Sequence, residues 1–167
     1  MAQRDGGSAA VERRAQKVIA RFGLTGPPVA LEDVCRVLGF TVRVRPFDYV
    51  AGLFINDDVF PVIVVNSRER RERQRFTIAH ELGHYFLGHG RKSFAEPGGR
   101  NRRERDAERF AAYLLMPAAW VRHYWAAYAA NYENRSAILA DLFEVSPAAL
   151  KLRVKELGLE GPARGKT

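Results

Sequence analysis

The stretch RFTIAHELGHYFLGHG, residues 75–90, sets two histidines four positions apart with a glutamate directly after the first. On a helix, His80 and His84 share one face and can converge on a single ion, while Glu81 projects beside it. Two such imidazoles suit tetrahedral zinc, which in a catalytic site takes one more protein ligand and a water. Glu81 is then placed to take a proton from that water and pass it to a leaving amine. The chemistry this set supports is metal-assisted hydrolysis, with His80 and His84 as ligands and Glu81 as the catalytic carboxylate. Zn2+ is the expected cofactor, and Mn2+ is the second candidate for a site that includes a carboxylate. Gly83 lies inside the same helix, where glycine costs about 1 kcal/mol relative to alanine. Its presence predicts a neighbouring segment that approaches the helix closely.

A third ligand is needed. The longer HExxHxxGxxH pattern asks for histidine where this chain has Gly90, so His89 reads as an ordinary histidine near the helix end. A carboxylate on a later helix is the better source, and RERDAERFAAYLLMP, residues 103–117, offers Glu104, Asp106 and Glu108. Asp106 shares a face with Phe110 and Leu114, which should point inward, and a buried acid on an apolar face calls for a cation. Glu104 leans toward Ala107 and Ala111, and Glu108 toward Ala112 and Leu115. Asp106 is the expected ligand, with Glu104 as the alternative.

The elements that must carry these groups follow from periodicity. Helical spacing marks residues 11–22 and 30–39, each ending at a glycine. The period then changes: 40–47 alternates apolar and basic residues, and 50–55 and 61–66 read as two more strands, with the turn NDD between them. A helix of about twenty residues follows Asn66, which with Glu69 fits a capping pair. Residues 88–101 read as a loop and 102–116 as a helix, with Pro117 opening another. Residues 134–158 read as two helices joined at EVSP. They have the cadence of a helix-turn-helix, with Ser146 and Pro147 starting the second helix and Lys151, Arg153 and Lys155 available to phosphates. The stretch WVRHYWAAYAANY, 120–132, is aromatic enough to pack on the core or to line a cleft. The plan is α+β: a small N-terminal sheet with helices, the HExxH helix, and a helical C-terminal part.

The combination of QRFTIAHELGHYFLGH with a later acidic residue and FAAYLLMP resembles the ImmA/IrrE family of metallo-endopeptidases. PPVALEDVCRVLGFTVRV and GLFINDDVFPVIVVNSRERRERQRF resemble that family's amino-terminal segment, so the likeness covers most of residues 15–158. It implies a zincin-like fold, zinc held by His80, His84 and an acidic residue of the later helix, and Glu81 as the catalytic group. It also implies an intracellular protease that cuts helix-turn-helix (XRE-type) repressors at one or few bonds, in a mobile element or stress response. Family members usually carry glutamate where this chain has Asp106. Aspartate is one methylene shorter, so either the helix lies closer or Glu104 is the ligand.

Composition sets the bounds. The chain has 167 residues with 47% hydrophobic and 28% charged positions, ordinary for a globular protein. The expected division is a peptidase domain at 1–130, a helix-turn-helix-like extension packed on it at 131–158, and a flexible tail at 159–167. The opening MAQRDGGSAAVERR has no apolar core segment, so it is not expected to act as a secretory signal, and a single cysteine, Cys35, fits a reducing cytoplasm. Cys35 is expected to be a buried, inert thiol. The net charge of the chain is +8 and is not one block; at 67–75 and 100–109 Arg and Glu interleave as on exposed helix faces. It allows a weak nucleic-acid contact or an acidic protein partner. A monomer with no membrane association is expected. His123, Tyr124 and Tyr113 are candidates for a hydrogen-bond donor to the oxyanion. The rival function is a DNA-binding transcriptional regulator with a structural metal, against which Glu81 weighs, because a closed site has no use for an adjacent carboxylate.

Overall fold

A computed structural model describes residues 6–55, 61–89, 102–131 and 133–160. Helices α1 (Gly6–Arg21) and α2 (Leu31–Val37) precede three strands, β1 (Thr41–Arg45), β2 (Gly52–Ile55) and β3 (Val62–Asn66). Five helices and a 3-10 turn follow: α3 (Arg71–Leu87), α4 (Arg102–Leu115), α5 (Ala118–Ala127), the turn at Ala129–Asn131, α6 (Arg135–Phe143) and α7 (Pro147–Glu156). The sheet order is β1-β3-β2, with β1 parallel and β2 antiparallel to β3. The small mixed sheet and seven helices of the described residues agree with the α+β expectation. The NDD turn, residues 90–101 of the expected loop and residues 161–167 of the tail lie outside the described residues.

The apolar residues that mark each element converge on one core. Val11, Ala15 and Val18 of α1, Ile63 and Val65 of β3, and Ile78 and Leu82 of α3 are buried together. Phe110, Ala111 and Leu114 of α4 join them, as do Leu139 and Phe143 of α6 and Leu150 and Val154 of α7. Cys35 is buried in this core, and desolvation, followed by the charge of Glu32, pushes its thiol up to about 12. An inert thiol follows. The aromatic stretch of α5 packs on the same core through Trp120, Tyr124 and Trp125. The Trp125 indole donates to Leu159 O at 3.1 Å, and the Arg135 guanidinium lies 3.8 Å over its ring.

Helix α3 begins later than Asn66, and the reason is where that side chain bonds. Asn66 Oδ1 accepts from the Phe47 and Arg68 amides, while Nδ2 donates to the Phe47 and Val50 carbonyls. The amide is therefore committed to tying the 47–50 loop to the end of β3, and the helix starts after Arg70, without a side-chain cap. β2, at the sheet edge, crosses α3 at very short range. A Cβ on Gly52 would sit 2.6 Å from Thr77 Cγ2, so only glycine lets the strand lie there.

The α6–α7 pair starts as expected, with Ser146 Oγ accepting from Ala149 N at 3.2 Å and Pro147 in the first turn. Arg153, however, is not available to a phosphate. It is 2% exposed, and its guanidinium meets Glu12 Oε1 at 2.6 Å and Glu156 Oε2 at 2.8 Å while Nε donates to Met116 O at 3.1 Å. The Arg-rich run at 67–75 is likewise not uniformly solvated. Arg75 is buried, donates to Val29 O at 2.7 Å and lies 3.2 Å from Glu144. Among the described residues no helix is long and apolar enough to cross a membrane.

Glu12→Ala removes the buried partner of Arg153 but leaves Glu156 beside it. The variant is therefore expected to lower the unfolding free energy by about 1.5–3 kcal/mol, the scale of a hydrogen bond to a charged group. Lys151→Ala, on the exposed face of the same α7 helix, should stay within about 0.5 kcal/mol. Urea unfolding of the two variants checks this.

Candidate metal centre

Helix α3 carries His80, Glu81 and His84, and α4 lies along it. The approach is set at Gly83, where an added Cβ would come within 3.1 Å of Ala107 O and 3.2 Å of Ala107 Cα. The glycine expected to admit a close neighbour does so, and the neighbour is α4. Glu104 lies one turn before Ala107 on the same face, so the contact that brings Ala107 to Gly83 also brings Glu104 to the histidines.

The three groups form a compact triangle. His80 Nε2 and His84 Nε2 are 3.1 Å apart, Glu104 Oε2 is 3.3 Å from the first, and Glu104 Oε1 is 3.4 Å from the second. Nitrogen and oxygen ligands at about 2.0–2.2 Å from a tetrahedral zinc are separated by roughly 3.3–3.5 Å, so this spacing fits a zinc site. Burial lowers the pKa of both imidazoles, aided at His84 by the neighbouring His80. They are thus held neutral, the form that offers a lone pair to a metal. Among the described residues this is the set of His, Cys, Asp and Glu able to hold an ion together.

Asp106, the expected third ligand, does not join the triangle. Its carboxylate pairs with Arg102 at 3.6 Å and Arg109 at 3.7 Å on its own helix and faces a cavity shared with Gly7 of α1. The buried face of α4 is wide, taking in Ala107, Phe110, Ala111 and Leu114. Asp106 lies at its α1 edge, and Glu104, the alternative, at its α3 edge. The signal was in the small residues: Ala107 and Ala111 mark the side that can approach Gly83, and Glu104 shares their row.

Glu81 is largely buried beside the cluster. Desolvation, and secondarily the charge of Glu104, pushes its carboxyl up to about 7. It opens with His80 and Glu104 onto a cavity of about 270 Å3 that is also lined by Phe76 and Thr77 of α3 and by Ala51 and Gly52 at the start of β2. None of the three candidate oxyanion donors lines this cavity. Tyr113 is bonded to Ser8 at 2.6 Å and Glu156 at 2.8 Å, and Tyr124 packs against His123 and Phe143. His89, expected to be an ordinary loop residue, instead lies against the cluster, with its Nδ1 3.0 Å from His84 Nδ1.

Comparison with known proteins places this geometry. The family profile of the IrrE N-terminal-like domain, Peptidase_M78, matches residues 35–155. The radiation response metalloprotease IrrE of Deinococcus radiodurans is 45% identical over 51 residues, 30% of this chain and 15% of that protein. IrrE of Deinococcus deserti is 35% identical over 80 residues, covering 47% of this chain and 28% of that protein. The metallopeptidase ImmA of Bacillus subtilis is 28% identical over 80 residues, 48% of this chain and 45% of that protein. The matched segments thus span less than half the length of each of these relatives. A solved structure of a Mycobacterium tuberculosis transcriptional regulator has the same fold. It superposes with a TM-score of 0.62 over 88% of this chain and 46% of that one, at 15% identity.

The geometry sets an order among the carboxylates of α4. Glu104→Ala should weaken zinc binding beyond the roughly 100-fold scale of losing a supporting residue, whereas Asp106→Ala should leave it near wild type. Metal content after dialysis and chelator competition distinguish the two, and a metal-free Asp106 variant beside a loaded Glu104 variant would reverse the assignment.

Proposed function

The chain belongs to the IrrE N-terminal-like (Peptidase_M78) family of metallopeptidases, and from that premise we propose that it is an intracellular zinc-dependent endopeptidase acting on a helix-turn-helix repressor. The observation that carries the reading is the His80–His84–Glu104 triangle with Glu81 beside it, open to a cavity under an edge strand. Bound at the triangle, zinc would supply Lewis acidity and an acidified water.

The chain's own groups do the rest. Glu81 accepts a proton at its carboxylate and returns it to the leaving amine, and a carboxyl raised toward neutrality suits both tasks. Among the described residues β2 bonds only to β3 within the sheet, which offers the outer edge of Gly52–Ile55 to an extended polypeptide by strand addition. Gly52 keeps that edge against α3, so a strand added there runs past His80 and Glu81. An extended segment is required, which favours an exposed or transiently unfolded stretch of the substrate over a folded surface.

The repressor as substrate, cut at one or few bonds, is supported by the resemblance of the sequence to repressor-cleaving proteases and by the +8 charge. Such a charge draws the enzyme to repressor on DNA or to an acidic face of the free repressor.

Two outcomes test this. Glu81→Gln should retain zinc and the fold but lose roughly 10²–10⁴ in cleavage rate, because only the proton acceptor is gone. Incubation of the zinc-loaded protein with a helix-turn-helix repressor encoded nearby, and separately with casein, should give one or few repressor fragments and little casein loss. Rapid casein digestion with the repressor intact would contradict specific cleavage.

A further inference from the structure

His89 stands in a built position. The chain leaves α3 through Gly88, whose φ of 69° lies in the left-handed region, and this reversal carries the next residue back over the last turn. His89 N then donates to His84 O at 3.0 Å, and Arg103 Nη1 donates to His89 O at 3.3 Å from the first turn of α4. Held at both ends of its backbone, His89 sets its ring at 72° to that of His84, with centroids 5.1 Å apart and the two Nδ1 atoms 3.0 Å apart. His84 thus presents Nε2 to His80 and Glu104 on one side and Nδ1 to His89 on the other.

A hydrogen bond between two Nδ1 atoms requires one of them to carry the proton. If His84 carries it, Nε2 is left with its lone pair directed at the triangle. If His89 carries it, a neutral His84 has its proton on Nε2 and cannot ligate. Resting on the metal-centre reading above, we propose that His89 is a positioning residue. It accepts the His84 Nδ1–H, and so holds His84 in the orientation and tautomer that ligates metal through Nε2. His89 then carries its own proton on Nε2. The role is the one usually filled by a carboxylate, carbonyl or water behind a metal-binding histidine. Here α4 supports it twice: Glu104 enters the triangle, and the adjacent Arg103 holds the residue that orients His84.

The test compares His89→Phe, which keeps an aromatic ring without an acceptor, with His89→Asn, whose side-chain oxygen can take the place of Nδ1. His84→Ala and Glu104→Ala serve as references. Zinc affinity by chelator competition should fall roughly 10–100-fold in His89→Phe, the range for lost supporting groups. It should recover largely in His89→Asn. In the metal-free protein, ¹H–¹⁵N correlation of the imidazoles should show His84 protonated on Nδ1 in wild type and a mixture of tautomers in His89→Phe. Wild-type zinc affinity and an unchanged His84 tautomer in His89→Phe, with zinc lost in the two references, would overturn the role of His89 and leave the metal centre standing. Zinc retained by both references would overturn the metal centre and this inference with it. Equal loss of zinc in the Phe and Asn variants, with an unchanged His84 tautomer, would overturn positioning in favour of a purely structural role.

Discussion

The close contact of α3 with α4 at Gly83 and Ala107 is the constraint on which the site depends. With no Cβ on one helix and only a methyl on the other, the two axes approach until Ala107 O and Cα lie 3.1 and 3.2 Å from where a Cβ on residue 83 would sit. A glutamate spans only a few ångströms from its backbone. Glu104 therefore reaches both imidazoles because the helices touch one turn away. The same proximity lets Arg103 reach the His89 carbonyl. The intrinsic cost of glycine in a helix, about 1 kcal/mol, is offset by the packing it permits.

The rest of the molecule holds these two helices in place. α1 packs along α4, and the buried Arg153 joins α7 to α1 through Glu12 and to the end of α4 through Met116 O. The C-terminal helix pair is thereby part of the body that supports α4. On the other side, Asn66 ties the 47–50 loop to β3, and Gly52 allows β2 to press on α3 at Thr77. Two carboxylates, Glu81 and Glu104, then share a poorly solvated space with two neutral imidazoles. Such a concentration of acceptors without a cation is unfavourable, and a divalent ion relieves it.

Much of this was legible in the residues. Helical period and HExxH spacing placed His80, Glu81 and His84 on one face, and Gly83 foretold a close neighbour. Strand alternation located all three strands to within a few residues. The third carboxylate was harder, because an amphipathic stripe tells which side of α4 is buried and not which buried neighbour each edge meets. Asp106 and Glu104 flank the same stripe, and only packing assigns one to α1 and the other to α3. His89 was missed because its position depends on a single left-handed residue, Gly88, which turns the chain back on the helix. Arg153 looked like a surface cation because the acid that buries it, Glu12, lies at the far end of the sequence.

Everything proposed for the site depends on one ion being held by His80, His84 and Glu104. The most direct measurement is a crystal structure of the zinc-loaded protein with anomalous data at the zinc edge. One anomalous peak per chain is expected, with Nε2 of both histidines and a Glu104 oxygen at about 2.0–2.2 Å and a nonprotein fourth position facing the Glu81 cavity. A peak coordinated by Asp106 in place of Glu104, or a protein that takes up no zinc at these residues, would contradict it.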